Sequence, residues 1–538
     1  MSLKYKIAFF VFLSFITFSH APSQAQGLQA TSPKASIEKI ATAMQLINYF
    51  YVEKVDQEKL ADDAIINMLK ELDPHSVYIS KKEVDETNEP LVGNFDGVGI
   101  QFQLFHDTIM VISPVPGGPS EKLGILAGDK IIRINGADAF GSKITNSYVL
   151  EHLRGPKGSK VMVNILRKGH KGLIEYTITR DKIPLNSIDA TLMLTPDIGI
   201  IKLSRFARTS MDEFHESLAK LKAAGMKSLI LDLRGNSGGY LDVAVDLADE
   251  FLTADKLIVF TEGLHSPKQE FRASFQGGFE TGKLVVLIDE GSASASEIVS
   301  GAIQDWDRGL IIGRRSFGKG LVQRPYMLPD SSMMRLTTAR YYTPSGRCIQ
   351  KSYKGGVENY FEDVYKRYKH GEFIHPDSIH FPDSLRFYTA NKRTVYGGGG
   401  IMPDIFIPLD TSYNSKYYTD LWRKGLLNEF STQYIDDNRK SLVQQFPKVK
   451  TFVDNFVVDD KVLNQFVEFA EKRGILRDEK GLVLSGKEIR YVIKGLIARN
   501  LFNVDAYFQV ISGIDDELKK AVEMINDDSS FKKLSGTN

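Results

Sequence analysis

Residues 289–323 read DEGSASASEIVSGAIQDWDRGLIIGRRSFGKGLVQ, and this stretch decides how the chain is interpreted. It follows the continuous apolar run Lys283–Ile288 (KLVVLI), which is typical of a buried strand. A glycine turn comes next, and a helical pattern begins at about Ser294. A second apolar piece, Leu310–Ile312, precedes Lys319, which lies between two glycines. Strand, turn, helix and strand place a hydroxyl and an amine where α/β proteins usually keep their chemistry.

These two groups suggest a serine nucleophile activated by a lysine. A serine hydroxyl is a poor nucleophile until a base takes its proton, and a lysine is such a base only when burial keeps its amine neutral. The small residues around Ser294 leave room for a substrate carbonyl, and the free amide of Ala295 at the helix start suits a developing oxyanion. Spacing alone leaves a second interpretation open, in which Ser294 only caps a helix and Lys319 is solvated.

The segments SASASEI and FGKGLVQ resemble the active-site signature of the C-terminal processing peptidases, also called tail-specific proteases. The resemblance implies that Ser294, the middle serine of the first segment, is the nucleophile and that Lys319 is the general base. It also implies that Gln323, one helical turn after the lysine, holds the lysine amine. With a single cysteine the sequence has no zinc-ligand cluster, so no metal and no cofactor are expected.

The region 182–410 alternates strand and helix patterns and is predicted to be an α/β protease core with a mainly parallel sheet. One predicted strand, Ser228–Leu233, opens into the glycine turn of DLRGNSGG, which lacks the ending of a phosphate loop. In the resembled family this turn supplies the second oxyanion amide, from Gly238 or its neighbour Gly239, and Gly238 is favoured. Asp232 and Arg234 are expected to hold the turn in shape.

Residues 93–181 resemble a PDZ domain, because Gly97, Val98, Gly99 and Ile100 head a strand that is followed by the segment GILAGDKIIRING. Such a glycine loop leaves amides free for a terminal carboxylate, and the next strand edge accepts a peptide as an added strand. Arg154 precedes a Gly-Pro turn. It is interpreted either as a solvated surface arginine or as a sensor of peptide binding that docks this domain on the protease core.

The composition is that of an ordinary globular protein, with 42% hydrophobic residues, 25% charged residues and a net charge of +1 over 538 residues. Nothing in this charge points to nucleic acid. The lone cysteine, Cys348, excludes an intrachain disulfide. Residues 1–25 have the pattern of a cleaved secretory signal peptide without a lipid-anchor cysteine, which predicts a periplasmic or extracellular protein. The alternative is that the segment remains as a membrane anchor.

Three further regions carry no predicted chemistry. Residues 26–92 show helical stripes, and in the resembled family this segment often helps dimers form, so a homodimer is expected. Residues 351–396 are an insert relative to the shorter family pattern. Because of this insert, the sequence does not predict how a substrate reaches the site. Residues 411–538 are predicted to form a helical domain.

The sequence therefore predicts a secreted serine endopeptidase that grips protein C-terminal tails and cleaves upstream through an acyl-enzyme. Its expected partners are protein or peptide substrates with a free C-terminus, and an adaptor protein is a further candidate. The alternative is a catalytically silent PDZ scaffold, which would have no reason to retain Ser294, Lys319 and Gln323 together. A related fold that binds coenzyme A thioesters is disfavoured by the PDZ pattern and the Ser–Lys pair.

Overall fold

The computed structural model describes residues 33–534, except 106 and 275. The predicted signal peptide, residues 1–25, lies outside the described residues. Residues up to Asn67 form one compact unit and residues from Met68 form another. The first unit contains helix α1 (Pro33–Phe50) and most of helix α2 (Gln57–Lys70). No residue of α1 is buried, and none of the described helices is long and apolar enough to span a bilayer.

The second unit begins with a short connection to the predicted PDZ region. It contains β1 (Val77–Ile79), α3 (Lys81–Val92) and β2 (Asn94–Gly97). Helix α3 begins after Ser80, whose backbone N–H and hydroxyl both donate to the Glu83 carboxylate. This is one half of the reciprocal capping pattern that fixes helix starts.

A six-stranded antiparallel sheet forms the region predicted to be a PDZ domain. Its elements are β3 (Ile100–Phe105), β4 (Thr108–Pro114), α4 (Pro119–Lys122), β5 (Lys130–Ile134), β6 (Ala137–Asp138), α5 (Asn146–Leu153), β7 (Lys160–Leu166) and β8 (Ile174–Thr179), followed by β9 (Asp181–Pro184), which pairs with β2. The strand order is β3-β4-β5-β7-β8, with β6 on β5. Strand β3 therefore lies at an open edge of the sheet.

The protease core contains two large sheets, one two-stranded hairpin and a set of helices. In chain order its elements are β10 (Ile188–Met193), β11 (Ile198–Leu203), α6 (Ser210–Ala223), β12 (Ser228–Asp232), α7 (Leu241–Asp249), β13 (Leu257–Gly263), β14 (Ser266–Arg272), β15 (Leu284–Ile288), α8 (Ala295–Asp305), β16 (Leu310–Gly313), β17 (Leu321–Met327), β18 (Met333–Tyr342), α9 (Val357–Lys369), β19 (Arg386–Tyr388), β20 (Thr394–Tyr396) and β21 (Ile405–Phe406).

The central sheet has the order β10-β11-β12-β15-β16-β21, and every pair from β11 to β21 is parallel. Strands β12 and β15 are fully buried, as their continuous apolar runs predict. Helices α6, α7 and α8 pack against the sheet in one apolar cluster, to which Phe214, Leu247 and Ile298 belong. The parallel order brings the carboxyl ends of β12 and β15 to the same edge.

A second sheet was not predicted. Its strand order is β1-β18-β13-β14, and β17 also pairs with β18. All of its strand pairs are antiparallel. The expected mainly parallel core therefore holds for the central sheet and not for this one. The residues of β17 are mostly exposed or half-buried, so its sequence lacks the apolar run that revealed the central strands.

The insert contains helix α9, two short 3-10 turns and the hairpin β19–β20. The C-terminal region is helical over its described residues, as predicted. Its helices are α10 (Lys416–Arg423), α11 (Leu426–Gln445), α12 (Val449–Asn455), α13 (Asp460–Glu471), α14 (Glu479–Leu501), α15 (Val504–Ile511), α16 (Asp516–Asn526) and α17 (Asp528–Leu534). Helix α16 packs on the central sheet, because Leu518, Ala521 and Met524 share a cluster with Ile230 and Val285.

Candidate active site

A groove of about 370 Å³ lies beside the carboxyl ends of the central strands. It is lined by the residues that the sequence singled out for catalysis: Gly238, Ser294, Ala295, Lys319 and Gln323. Its remaining walls are formed by Asn88 and Leu91 of α3, Ser237, Gly239, Tyr240, Leu241, Ile298, Leu321, Val322, Pro325, Arg335 and Tyr341. The fold thus brings together a hydroxyl, an amine and a glycine turn that are separated in sequence.

Ser294 precedes α8 in a strained conformation, with φ 54° and ψ −112°. A positive φ is uncommon outside glycine and costs free energy, which the surroundings must supply. The Ser294 N–H donates to Glu297 Oε2 at 2.8 Å, and its carbonyl accepts from the Tyr341 hydroxyl at 3.0 Å. The backbone of the proposed nucleophile is therefore fixed on both sides.

The turn that leads to Ser294 is tied to the neighbouring glycine turn by one carboxylate. Asp289 Oδ1 accepts the backbone N–H groups of Gly235 at 2.8 Å, Gly291 at 3.0 Å and Ser292 at 3.1 Å. The Ser292 hydroxyl also donates to the carbonyl of Leu233 at 2.8 Å. These bonds join the loops after β12 and β15 and set where each points.

The glycine turn lies directly against Ser294. A Cβ on Gly238 would be 2.8 Å from Ser294 Cβ and 3.0 Å from the Ala295 nitrogen, so only glycine fits there, and its φ is +103°. The Gly238 N–H donates to Asn236 Oδ1 at 2.9 Å. For the Gly238 N–H to bind an oxyanion, its hydrogen bond to Asn236 must break. The preference for Gly238 over Gly239 stays a prediction.

The Lys319 amine donates to Gln323 Oε1 at 3.0 Å. Gln323 lies on strand β17 and not on a helix, so it is not one helical turn after Lys319. The pairing of β17 with β18 shifts register between Val322 and Gln323. Its own amide donates to the carbonyl of His75. Burial, aided by the nearby Arg335 guanidinium, lowers the pKa of Lys319 to about 8. A sizeable share of this lysine is therefore neutral at mildly alkaline pH.

Within the described residues, no hydrogen bond joins the Ser294 hydroxyl to the Lys319 amine, whose bond goes to Gln323. The two side chains share the groove without touching through a hydrogen bond. Catalytic hydrogen bonds are often long in the free enzyme and tighten only when substrate is bound, so this geometry does not remove the pair from consideration.

Glu297 organises the site and was missed by the sequence reasoning. Its Oε2 accepts the N–H groups of Ser294 at 2.8 Å and Lys319 at 2.9 Å. Its Oε1 accepts the N–H of Gly318 at 2.7 Å and the hydroxyl of Ser316 at 2.5 Å. Burial raises the pKa of Glu297 to about 7, although the four hydrogen bonds favour the carboxylate. A glutamate three residues after a helix-starting serine was the available signal.

The insert supports the lysine from outside the groove. Tyr360 of α9 is buried, and its hydroxyl lies 2.9 Å from His75 Nε2. Burial and the nearby Lys319 amine lower the pKa of His75 to about 4, so this imidazole is neutral. Among the described residues that line the groove, none comes from 351–396. The insert packs near the residue that holds the lysine and does not form a wall of the groove.

The predicted peptide site of the PDZ region occupies the loop between β2 and β3. Gly97 ends β2 and Ile100 begins β3, whose outer edge carries no further strand in the described sheet. The Val98 carbonyl accepts from the Ser120 hydroxyl at 2.6 Å, and the Gly99 carbonyl accepts from the Val115 N–H at 2.9 Å. The loop is thus anchored through its carbonyls, next to an edge that can accept an added strand.

Arg154 ends helix α5 and is paired rather than free in solvent. Its Nη1 donates to Glu89 Oε2 of α3 at 2.5 Å, and its guanidinium lies 4.7 Å from the centre of the Phe95 ring. Helix α3 also supplies Asn88 and Leu91 to the groove wall. Arg154 therefore connects the PDZ region to a helix that borders the groove, while its role as a sensor stays a prediction.

Four segments of the chain match known protein families. Residues 197–361 match the profile of peptidase family S41, and residues 97–178 match a PDZ domain. Residues 8–83 match the N-terminal domain of the activating protease CtpB. Residues 417–503 match a family of unknown function. These matches define a PDZ-containing protease of the S41 class.

Curated relatives make the assignment more specific. The chain is 35% identical to carboxy-terminal processing protease CtpB of Bacillus subtilis over 60% of this chain and 67% of that protein. It is 34% identical to the carboxy-terminal-processing protease of Bartonella bacilliformis over 64% of this chain and 80% of that protein. The solved photosystem II D1 C-terminal processing protease aligns with 25% identity, 70% and 88% coverage and a TM-score of 0.36. These sequence relatives show that the chain belongs to the carboxy-terminal processing proteases.

Proposed function

We propose that the protein is a serine endopeptidase that recognises free C-terminal tails through its PDZ domain and cleaves upstream by a Ser–Lys mechanism. The observation that carries this proposal is the state of Lys319: its amine is buried in the same groove as Ser294 and is bonded to the neutral amide of Gln323. A lysine held by an amide instead of a carboxylate can lose its proton near neutral pH.

In this mechanism the Ser294 hydroxyl attacks the scissile carbonyl while the Lys319 amine takes its proton. The amide of Ala295, together with that of Gly238 or Gly239, stabilises the oxyanion of the tetrahedral intermediate. The lysine then gives the proton to the leaving amine, which leaves an acyl-enzyme on Ser294. Water attacks the ester through the same base and restores the serine.

The PDZ domain adds a tether for the substrate. A tail whose carboxylate is held at the Gly97–Ile100 loop would extend along the β3 edge. Binding at one site raises the effective concentration of the scissile segment at the other, so peptides too short to reach both sites should be poor substrates.

Residues 1–25 support a proposal that the protein is exported to the periplasm or beyond. The exposed apolar side chains of α1, among them Ile37, Tyr49 and Phe50, support a proposal that this segment pairs two copies in a homodimer. An adaptor protein is kept as a candidate partner, because a PDZ domain can bind a tail that is not the one being cleaved.

The competing proposal is a PDZ scaffold without catalysis, and one experiment separates the two. A long peptide is offered as the free acid and as the C-terminal amide, and products are identified by mass spectrometry for the wild type and Ser294→Ala. Cleavage of the acid by the wild type alone is expected, with the amide cleaved about tenfold more slowly because charge-assisted hydrogen bonds are lost. No cleavage of any peptide favours the scaffold. Equal cleavage of acid and amide removes tail recognition and leaves the chemistry in place.

A further inference from the structure

The C-terminal helical region meets the protease core beside the site, at the start of α16. The apolar face of α16 is buried on the central sheet, where Leu518, Ala521, Met524 and Ile525 belong to one cluster with strand residues. This packing fixes the first turn of the helix, and Asp515 caps it by accepting the N–H of Leu518 at 3.0 Å. Two acidic side chains, Asp515 and Glu517, are thereby held in place.

These acids bind an arginine on the glycine turn. Arg234 donates through Nη1 and Nη2 to both oxygens of Asp515, at 3.0 and 2.8 Å, and through Nη1 to Glu517. The same guanidinium donates to Asp232 at 2.9 and 2.7 Å. Two-pronged arginine–carboxylate pairs fix orientation as well as distance. The start of the glycine turn is therefore clamped from its own strand and from α16.

Glu517 also binds the loop that carries the lysine. Its second oxygen accepts from Nη1 of Arg314, which follows strand β16 and begins the segment that ends at Lys319. Arg314 Nε donates in turn to Glu290 at 2.8 Å, in the turn before Ser294. One glutamate of the C-terminal region is thus connected to the three segments that carry the oxyanion turn, the nucleophile and the base.

We propose that Glu517 is a positioning residue of the active site, which holds Arg234 and Arg314 and through them the loops on either side of the groove. Asp515 assists on the Arg234 side. The proposal rests on the Ser–Lys function above and assigns a catalytic purpose to a region outside the S41 match, residues 197–361.

Burial gives these contacts their weight. The side chains of Arg314 and Glu517 are only 8% and 11% exposed, and that of Arg234 is 15% exposed. Without Glu517, among the described residues, Arg234 keeps only Asp232 and Asp515 and Arg314 keeps only Glu290, so each buried guanidinium loses part of its compensating charge and the segment that carries it relaxes. The relaxing segments here are the glycine turn and the lysine loop, so a change at Glu517 moves the groups that do the chemistry.

The competing explanation is that the acids only fasten the C-terminal region to the core. The structure offers a control for it, because Asp505 fastens the same region elsewhere. Asp505 accepts the N–H of Thr191 at 3.1 Å and pairs with Lys220 at 3.4 Å, and neither partner lines the groove. If the acids only attach the C-terminal region to the core, Asp505→Asn and Glu517→Gln should have similar effects on activity.

The test compares wild type, Glu517→Gln, Glu517→Asp and Asp505→Asn in the full chain, with kcat and KM for one long free-acid peptide. Glu517→Gln is expected to lower kcat about tenfold or more and to change KM less than about threefold. The reason is that displaced catalytic groups slow the chemical step more than they weaken substrate binding. Glu517→Asp should recover part of the rate, and Asp505→Asn should retain it. If Glu517→Gln does not fold, Asp515→Asn replaces it, with a smaller loss of kcat expected.

Amide hydrogen exchange supplies a readout that does not need activity. Faster exchange in segments 234–239 and 314–320 is expected for Glu517→Gln and not for Asp505→Asn. Wild-type kcat and unchanged exchange in Glu517→Gln or its replacement would overturn the proposal. Full activity of Ser294→Ala would instead overturn the proposed function, while the exchange result still decides whether Glu517 orders the loops.

Discussion

Glu297 and Glu517 are both buried and both hold loops that carry the proposed catalytic groups, yet their partners differ in kind. Glu297 lies inside the core and accepts four neutral donors from Ser294, Ser316, Gly318 and Lys319. Glu517 comes from the C-terminal region and lies between the cations of Arg234 and Arg314. Neutral donors offset only part of the free-energy cost of burying a carboxylate, whereas cations offset more of it. If the carboxylate is removed, the buried cations themselves cost free energy.

This difference separates two ways of ordering an active site. The four hydrogen bonds of Glu297 are all made within one stretch of the protease core, residues 294–319, and none of them comes from the C-terminal region. The junction around Glu517 needs a helix more than 200 positions away to dock on the sheet, since Arg314 and Glu517 are 203 positions apart. The first region should set whether the site exists, and the second should set how well its loops are aligned.

Among the residues that support the site without taking part in the chemistry, Glu297→Gln is expected to have the largest effect. The amide keeps one oxygen for two of the donors and turns an N–H₂ group toward the other two, so buried donors are left without acceptors. We expect kcat/KM to fall about a hundredfold, because either Ser294 and Lys319 or Ser316 and Gly318 lose their acceptor, and both pairs lie on the segments that carry the catalytic groups. Steady-state kinetics on a free-acid peptide measure this. Glu250→Gln is the matched control, since Glu250 accepts from Gly278 and His215 and does not line the groove.

A smaller loss in Glu297→Gln than in Glu517→Gln would reverse the comparison. In that case the cross-domain junction, and not the core carboxylate, would be the main support of the site.

The pH dependence of stability should have opposite signs in the two regions. Burial raises the pKa of Glu297 from 4.5 to about 7, so its contribution to stability is full below pH 4.5 and is lost as pH rises through 7. At about 1.4 kcal/mol for each pH unit, the loss is about 3 kcal/mol. At the junction, burial opposes ionisation, but Arg234 and Lys202 outweigh it and lower the pKa of Asp232 from 3.8 to about 2. That stability is present above pH 3.8 and is lost as pH falls through 2.

Denaturant unfolding between about pH 1.5 and about pH 8 covers both contributions. Relative to the wild type, Glu297→Gln should remove a decline in unfolding free energy between pH 4.5 and 7, and Asp232→Asn should leave that interval unchanged. An identical pH profile for the wild type and Glu297→Gln would contradict the raised pKa of the buried Glu297 carboxyl.

The smallest effect is expected at Tyr360, which supports the site through an uncharged contact from the insert. Tyr360→Phe removes the hydroxyl that lies 2.9 Å from His75 Nε2, and the His75 carbonyl accepts from Gln323. The hydroxyl also accepts from Gln350 Nε2 at 3.3 Å. Each neutral hydrogen bond is worth about 1 kcal/mol and Tyr360 does not line the groove, so kcat should fall no more than about fivefold. Kinetics on the same peptide check this. A loss as large as that in Glu297→Gln would place the insert among the main supports of the lysine.

Much of the core was predictable because its signals are local. The continuous apolar run at 283–288 predicted strand β15, observed at Leu284–Ile288, and the predicted strand Ser228–Leu233 is observed as β12 at Ser228–Asp232. Residue type suggested the groove residues Ser294 and Lys319, and the resemblance of their two segments to the family signature implied their roles. Glu297 was also within reach, since its position after Ser294 matches a helix-capping pattern.

The remainder depends on contacts that no local pattern records. Strand β18 mixes buried and half-buried residues and pairs with β1, β13 and β17, so its sheet follows from tertiary packing. The acidic first turn of α16 resembles that of any surface helix until its arginine partners are known. The bond between the Gly238 amide and Asn236 likewise requires coordinates.

The central claim is that Lys319 acts as a neutral base for Ser294, and the pH dependence of kcat/KM for one long free-acid peptide tests it most directly. Measured from about pH 6 to about pH 10, the wild-type value should rise with pH and level off above about 8, as the buried amine loses its proton. Lys319→Ala should retain less than about a thousandth of that activity at every pH while remaining folded. Near wild-type cleavage by Lys319→Ala with the same pH profile would contradict the account.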